Sequence, residues 1–303
     1  MKHVLAASFL LAITSFSHAQ VSPVSGGDAG ALELASVHAV IADLDTGATL
    51  FEKHPDVAVP IASITKLMTA MVILDAEQPL TEWLTIVDHD TPPENNAYSR
   101  LRIGSQATRG DLLRIALMSS ENLACHVLAT HYPGGKQAFI AAMNDKAREL
   151  GMTQTRFVDS SGLSPLNRST ASDLARMARA ALEYQPIRDY SSTAEYTVSF
   201  RSPSYALNYG NTNALTRGDR WNVVLSKTGY LDEAGRCLVM VATVGGRPVT
   251  MILLDSFGTR SPLGDAGRIR RWIETGSSGP VAGAARDYEQ RRAAAYRGVG
   301  SEI

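Results

Sequence analysis

Runs of β-type residues stand at both ends of this chain and helical runs fill its middle, and that arrangement constrains the fold most. Residues 37–44 and 48–51 are apolar stretches on either side of Asp45-Thr46-Gly47, the pattern of a hairpin closed by a glycine-containing turn. A two-stranded hairpin is marginal in water and needs further strands or a helix to cover it. Long β-type runs recur after residue 193, at 195–200, 221–226, 236–244 and 248–254, separated by turns such as Gly245-Gly246. The expected architecture is α+β: an antiparallel sheet drawn from both ends of the chain and flanked by helices. A single domain over residues 35–275 follows, because the first hairpin finds its partners only in the last strands.

The middle reads as helices with short connections. A helix is expected over 63–75, halted before Pro79. Short strands are expected at 84–87 and 100–103, around a polar loop. Thr108 with Asp111, and Thr170 with Asp173, have the spacing of helix N-terminal caps. Helices then cover 112–118, the segment from Asn122 to Thr130, 136–150 up to Gly151, and 170–184 before Pro186. A last helix over 262–274 would place Ile269, Trp272 and Ile273 on one side. Residues 276–303, rich in Gly, Ala, Ser and Arg, are expected to be largely disordered, with room for a polar helix at 285–297.

Composition narrows the class. With 303 residues, 45% hydrophobic content and a net charge of −1, the chain can bury a large core and lacks the basic face of a nucleic-acid binder. Lys2 and His3 precede an apolar run over 4–16, and Ser17-His18-Ala19 follows with small residues at the positions a signal peptidase reads. Residues 1–19 are therefore expected to be a cleavable signal peptide, followed by a flexible segment over 20–34. No later uncharged apolar run is long enough to span a bilayer, so an exported protein without a transmembrane anchor is expected. Cys125 and Cys237 each lie in an apolar segment, which favours buried thiols and leaves one bridge as the alternative. The histidines show no metal-ligand spacing, and neither a metal nor a cofactor is expected.

Chemistry concentrates at three short motifs. Ser63 and Lys66 are three apart at the start of the first helix, which sets a hydroxyl beside an amine. Serine becomes a nucleophile when an adjacent base takes its proton, and lysine can be that base once its pKa is lowered. Such a pair arises by chance roughly once in a chain of this length. Ser120-Glu121-Asn122 falls at a helix junction, and Lys227-Thr228-Gly229 ends a strand. The last tripeptide is much rarer, in about one chain in fifteen by composition alone. The weight lies in all three occurring in this order, each at an element boundary.

Together they resemble the signature of penicillin-binding proteins and serine β-lactamases. The stretches 60–69, 118–122, 157–164, 172–175 and 226–239 are most similar to the low-molecular-mass D-Ala-D-Ala peptidases, in particular the type-7 D,D-endopeptidase group. The resemblance covers residues 35–275 and implies the β-lactamase/D,D-peptidase-like transpeptidase fold. It implies Ser63 as nucleophile, Lys66 as base and Ser120 as proton relay. It implies Asn122, Lys227, Thr228, Gly229 and Tyr230 as substrate-binding residues, with the amides of Ser63 and Tyr230 as an oxyanion hole. Lys227 would help keep Lys66 neutral, and Gly229 would leave room for substrate along the strand. Peptidoglycan stem peptides are the implied substrates, β-lactams the implied covalent inhibitors and the periplasm the implied location. Tyr230 stands where many relatives carry a small hydroxyl residue. The 155–170 segment lacks the Glu-x-x-Leu-Asn whose glutamate drives deacylation in class A β-lactamases. That argues for a penicillin-trapped peptidase. Carboxypeptidase action, a β-lactamase and a non-catalytic wall-binding module remain the alternatives.

Overall fold

A computed structural model describes residues 32–89, 98–218 and 220–299. The expected signal peptide lies outside the described residues. The chain opens with β1 (Ser36–Asp43) and β2 (Thr49–Lys53). Asp43 shapes their turn, accepting hydrogen bonds from the Thr46 amide and hydroxyl at 2.9 Å each. A two-residue strand β3 (Val59–Pro60) leads through a 3-10 turn (Ala62–Ile64) into α1 (Thr65–Asp75). Then β4 (Trp83–Thr85) pairs with β5 (Gln106–Thr108), ahead of α2 (Arg109–Met118), α3 (Asn122–Thr130) and α4 (Gly135–Glu149). Next come β6 (Arg168–Ser169), which pairs with β3, α5 (Ala171–Ala181) and α6 (Gln185–Ser192). The hairpin β7 (Glu195–Phe200) and β8 (Tyr205–Gly210) precedes β9 (Asn222–Leu231), β10 (Gly235–Val244) and β11 (Arg247–Ser256). Two helices end the chain, α7 (Ser261–Thr275) and α8 (Gly283–Val299).

The main sheet has five strands in the order β2-β1-β11-β10-β9, all antiparallel. Strands from the two ends of the chain meet at its centre, where Val40 faces Ile252. Alternation along the strands divides the core. Ala39, Ile41, Leu238, Met240 and Leu253 pack against Ile269 and Trp272 of α7. Val40, Val239, Val241 and Ile252 face the helical lobe. Central strands covered on both faces lose the polar alternation of a half-exposed strand, which is why 236–244 reads as nearly continuous apolar sequence. In α1 every residue from Thr65 to Ile73 is buried, so this helix runs through the interior of the lobe.

Both predicted caps form: the Thr108 side chain accepts from the Asp111 amide, and Thr170 from that of Asp173. Two expectations are corrected, and one further strand appears. Residues 100–103 form no strand, and the partner of 83–85 is β5 instead. Pro186 starts α6, where a first-turn proline lacks no needed N–H, so the preceding helix ends at Ala181. The strand β8, largely exposed, was not expected at all. In the tail after 276, α8 stands where the sequence left room for a polar helix at 285–297, and its side chains bond to the buried Asp255.

Candidate active site

The nucleophile candidate Ser63 sits in the 3-10 turn, on the path from β3 into α1. Its neighbour Ala62 is forced to φ 47°, a left-handed conformation that L-residues avoid. The turn is held from two sides. Thr65 Oγ1 donates to the Ala62 carbonyl at 2.8 Å. Gly162 (φ 82°) packs so closely that a Cβ there would lie 2.0 Å from the Ala62 carbonyl oxygen.

Lys66, in the first turn of α1, is only 1% exposed. Its Nζ lies 2.8 Å from Ser63 Oγ, 2.7 Å from Asn122 Oδ1 and 2.6 Å from the Ser161 carbonyl. The last two partners accept only, so they take the two hydrogens of a neutral amine. The lone pair is then left for the Ser63 hydroxyl. Burial is the leading cause that lowers the Lys66 pKa. It lowers Lys227 strongly too, and there the positive charge of Lys66 adds to the effect. Desolvation is thus the leading cause at both lysines, and two amines in one buried site also oppose being charged together, the help expected of Lys227. Cys125 lies in the same field. Burial pushes its thiol up to about 11, so it is neutral at physiological pH and supplies no counter-charge. Asp159 and Glu121 supply the remaining upward pull on Lys66.

Ser120 occupies the link between α2 and α3 with φ 61°. Lys227, 1% exposed, donates to Ser120 Oγ at 3.0 Å and to the Thr228 carbonyl at 2.8 Å. Asn122 opens α3, where the Glu121 side chain accepts from the Leu123 amide. Thr228 Oγ1 is 2.6 Å from the hydroxyl of Thr212, a residue not anticipated from the sequence. A Cβ on Gly229 would meet the Ile61 carbonyl at 3.1 Å and the Ser63 amide at 3.2 Å. The room that this glycine leaves is therefore filled by the nucleophile turn, which docks against β9, and substrate space is not what a side chain there would take. Tyr230 is 43% exposed, with the Arg236 guanidinium stacked 3.6 Å over its ring.

Six of the eight predicted residues (Ser63, Ser120, Asn122, Thr228, Gly229 and Tyr230) line one cleft of about 570 Å³, and the two lysines lie buried behind it. The cleft continues past Tyr230 to Asp232, Glu233 and Thr259. The sequence flagged 157–164 only as part of the resemblance, with no role for the 159–167 loop. Asp159 accepts from the amides of Ser161, Gly162 and Ser164 at 2.6–2.9 Å, and this turn aims the Ser161 carbonyl at Lys66. Asn167, fully buried, donates to Thr65 Oγ1 and to the Asp159 carbonyl at 3.0 Å each. Asp-Ser-Ser-Gly is a turn signature and could have flagged the loop, but not its target. No cluster that could hold a metal ion occurs among the described residues.

Buried paired lysines, an accessible serine on a strained turn and an open strand edge define a serine acyl-transfer site. The chain belongs to the peptidase S11 family, described as D-alanyl-D-alanine carboxypeptidase, whose model matches residues 25–258. It is 49% identical over 271 residues to a D-alanyl-D-alanine endopeptidase of Pseudomonas aeruginosa, covering 89% of this chain and 87% of that one. It is 45% identical over 293 residues to the D-alanyl-D-alanine endopeptidase of Escherichia coli, covering 97% and 94%. The crystal structure of the Streptomyces K15 DD-transpeptidase superposes with a TM-score of 0.75 at 29% identity, covering 80% of this chain and 98% of that one. Penicillin-binding protein D2 of Listeria monocytogenes, in its cefotaxime-bound form, gives 0.69 at 29% identity, with 81% and 98% covered. The expected α+β transpeptidase-like fold is thereby borne out.

Proposed function

We propose that this chain is an exported serine D,D-endopeptidase that opens D-Ala-containing cross-links of peptidoglycan through a Ser63 acyl-enzyme. The observation that carries the reading is the coordination of Lys66, whose two fixed acceptors leave its lone pair on the Ser63 hydroxyl. Lys66 takes the Ser63 proton as Oγ attacks the D-Ala carbonyl carbon. The amides of Ser63 and Tyr230 hold the oxygen that becomes negative. The C–N bond breaks as Ser120, held by Lys227, gives its proton to the leaving amine and takes in return the one that Lys66 received from Ser63. Asn122 holds the substrate amide, and Thr228 with Thr212 receives the carboxylate beside the leaving amine. Water then cleaves the ester.

Slow release of a penicillin follows from the carboxylates. Asp159 is fully engaged by backbone amides, and the buried Glu121 bonds to the Leu123 amide. These engagements, with the Glu-x-x-Leu-Asn that the 155–170 segment lacks, argue against β-lactamase action. The continuation of the cleft beyond Tyr230 favours cross-linked substrates over pentapeptide tails. The similarity to a cefotaxime-bound relative supports β-lactams as trapping ligands.

Incubation of the purified protein with sacculi, followed by separation of the released muropeptides, tests the reading. Cross-linked dimers should disappear, and Ser63→Ala should abolish both that loss and labelling by a fluorescent penicillin. Loss of terminal D-Ala alone would make the enzyme a carboxypeptidase.

A further inference from the structure

The far wall of the cleft is tied to the C-terminal helix. Asp255, at the end of β11, is fully buried with φ 54°. Its carboxylate accepts from Tyr288 Oη at 2.5 Å, Arg292 Nε at 2.7 Å and Tyr296 Oη at 3.1 Å, all from α8. A second N–H group of Arg292 donates to the Glu233 carbonyl at 2.9 Å. Gly235 packs against the same carboxylate, and a Cβ there would fall 2.4 Å from Asp255 Oδ1. One guanidinium thus joins the end of β11 to the β9–β10 turn. Both lead directly into the cleft: Asp232, Glu233 and Arg236 line it on one side, and Thr259, four residues beyond Asp255, on the other. Further ion pairs, Lys53 with Glu289 and Arg286 with Glu33, fasten the helix to the body.

Nothing in this network touches Ser63 or the groups that hold it. The nucleophile turn depends on Thr65, Gly162 and Gly229, and Lys66 on Asn122 and Ser161. A small acylating agent needs only that inner part. A cross-linked peptide extends further and meets the wall that Arg292 holds. Tyr230 belongs to this wall too, stacked under Arg236 with its hydroxyl donated to Asp232.

We propose that Arg292 is a positioning residue, through which α8 sets the shape of the cleft beyond Tyr230 and so selects for extended peptide substrates. The inference rests on the reading of Ser63 as the acylated residue. Interactions made equally with bound substrate and transition state act on KM and leave kcat in place.

The test uses the full mature chain and compares Arg292→Ala and Arg292→Lys with wild type. Lysine keeps a cation near Asp255, but its compact ammonium lacks the planar fork that spans Asp255 and the Glu233 carbonyl together, so it separates charge neutralisation from holding the turn. It also serves if the alanine variant does not fold. Labelling by a fluorescent penicillin should stay within about twofold, whereas KM for purified cross-linked dimers should rise roughly five- to tenfold with kcat nearly unchanged. Hydrogen exchange should accelerate in peptides covering 231–236 and 256–260, and remain as in wild type in α1 and the 159–167 loop. Labelling and dimer cleavage falling in the same proportion, or exchange rising across the whole chain, would mean a purely structural role and overturn the proposal; so would an unchanged KM. If wild type labels but leaves dimers intact, the endopeptidase reading fails instead, and the exchange pattern alone decides the role of Arg292.

Discussion

In the proposed mechanism, Lys66 is a residue of ordinary basicity turned into a base by its surroundings. An ammonium at this position would be desolvated on nearly every side, and each carbonyl that accepts from the amine also fixes where its lone pair points. Because burial lowers its pKa, the neutral fraction at a given pH exceeds that of a free lysine. Acylation by a penicillin should therefore rise with pH, with a midpoint below 10.5, and stopped-flow labelling across a pH series would measure it. Lys66→Arg cannot lose its proton and should slow acylation by roughly a thousandfold, within the range of general-base effects. A rate that stayed flat with pH, or an active arginine variant, would remove Lys66 from that role.

At the scale of elements, the site is a meeting of turns backed by rigid helices and strands. The 159–167 loop and the Ala62 turn are mutually locked through Gly162. Gly162→Ala should cost about 3 kcal/mol or more by thermal or chemical denaturation, since it combines a disfavoured φ with a backbone clash. Gly151→Ala, at φ 69° with nothing within 4 Å of its Cβ, supplies the control for backbone strain alone. Equal losses in the two variants would show that the clash is relieved by movement. The same contrast explains what the sequence reveals. Thr108 and Thr170 were legible as caps because a cap is satisfied within three residues. Ser63 and Lys66, three apart, were legible for the same reason. Asp159 closes a local turn, but the amine at which that turn aims the Ser161 carbonyl comes near only in the fold, and so does the Thr65 partner of Asn167. Thr212 likewise meets Thr228 only through packing. Pro186 misled because proline marks both the end of one helix and the start of the next.

At the scale of the whole molecule, a buried group far from the site links stability to pH. His38, buried in β1, bonds through Nδ1 to the His54 carbonyl at 3.0 Å, while its Nε2 has no partner. Burial lowers its pKa to about 4, against the upward pull of the His54 carbonyl and Asp255; the charges of His54 and Lys53 act with burial. The unfolded chain therefore binds more protons than the folded one between pH 6.5 and about 4. The stability linked to this group is complete above pH 6.5 and declines as pH falls through that window, by at most about 3 kcal/mol. Melting curves from pH 7 to 4.5 should show a smaller decline in His38→Gln than in wild type. An identical decline in both would place the acid sensitivity elsewhere.

The order of strands in the main sheet also has a consequence in time. β1 lies between β2 and the central strand β11, and β11 is the last strand made among the described residues. While synthesis proceeds from the N-terminus, β1 and β2 wait with one edge open until nearly the whole polypeptide has emerged. Such a topology defers closure of the core to the end of translation.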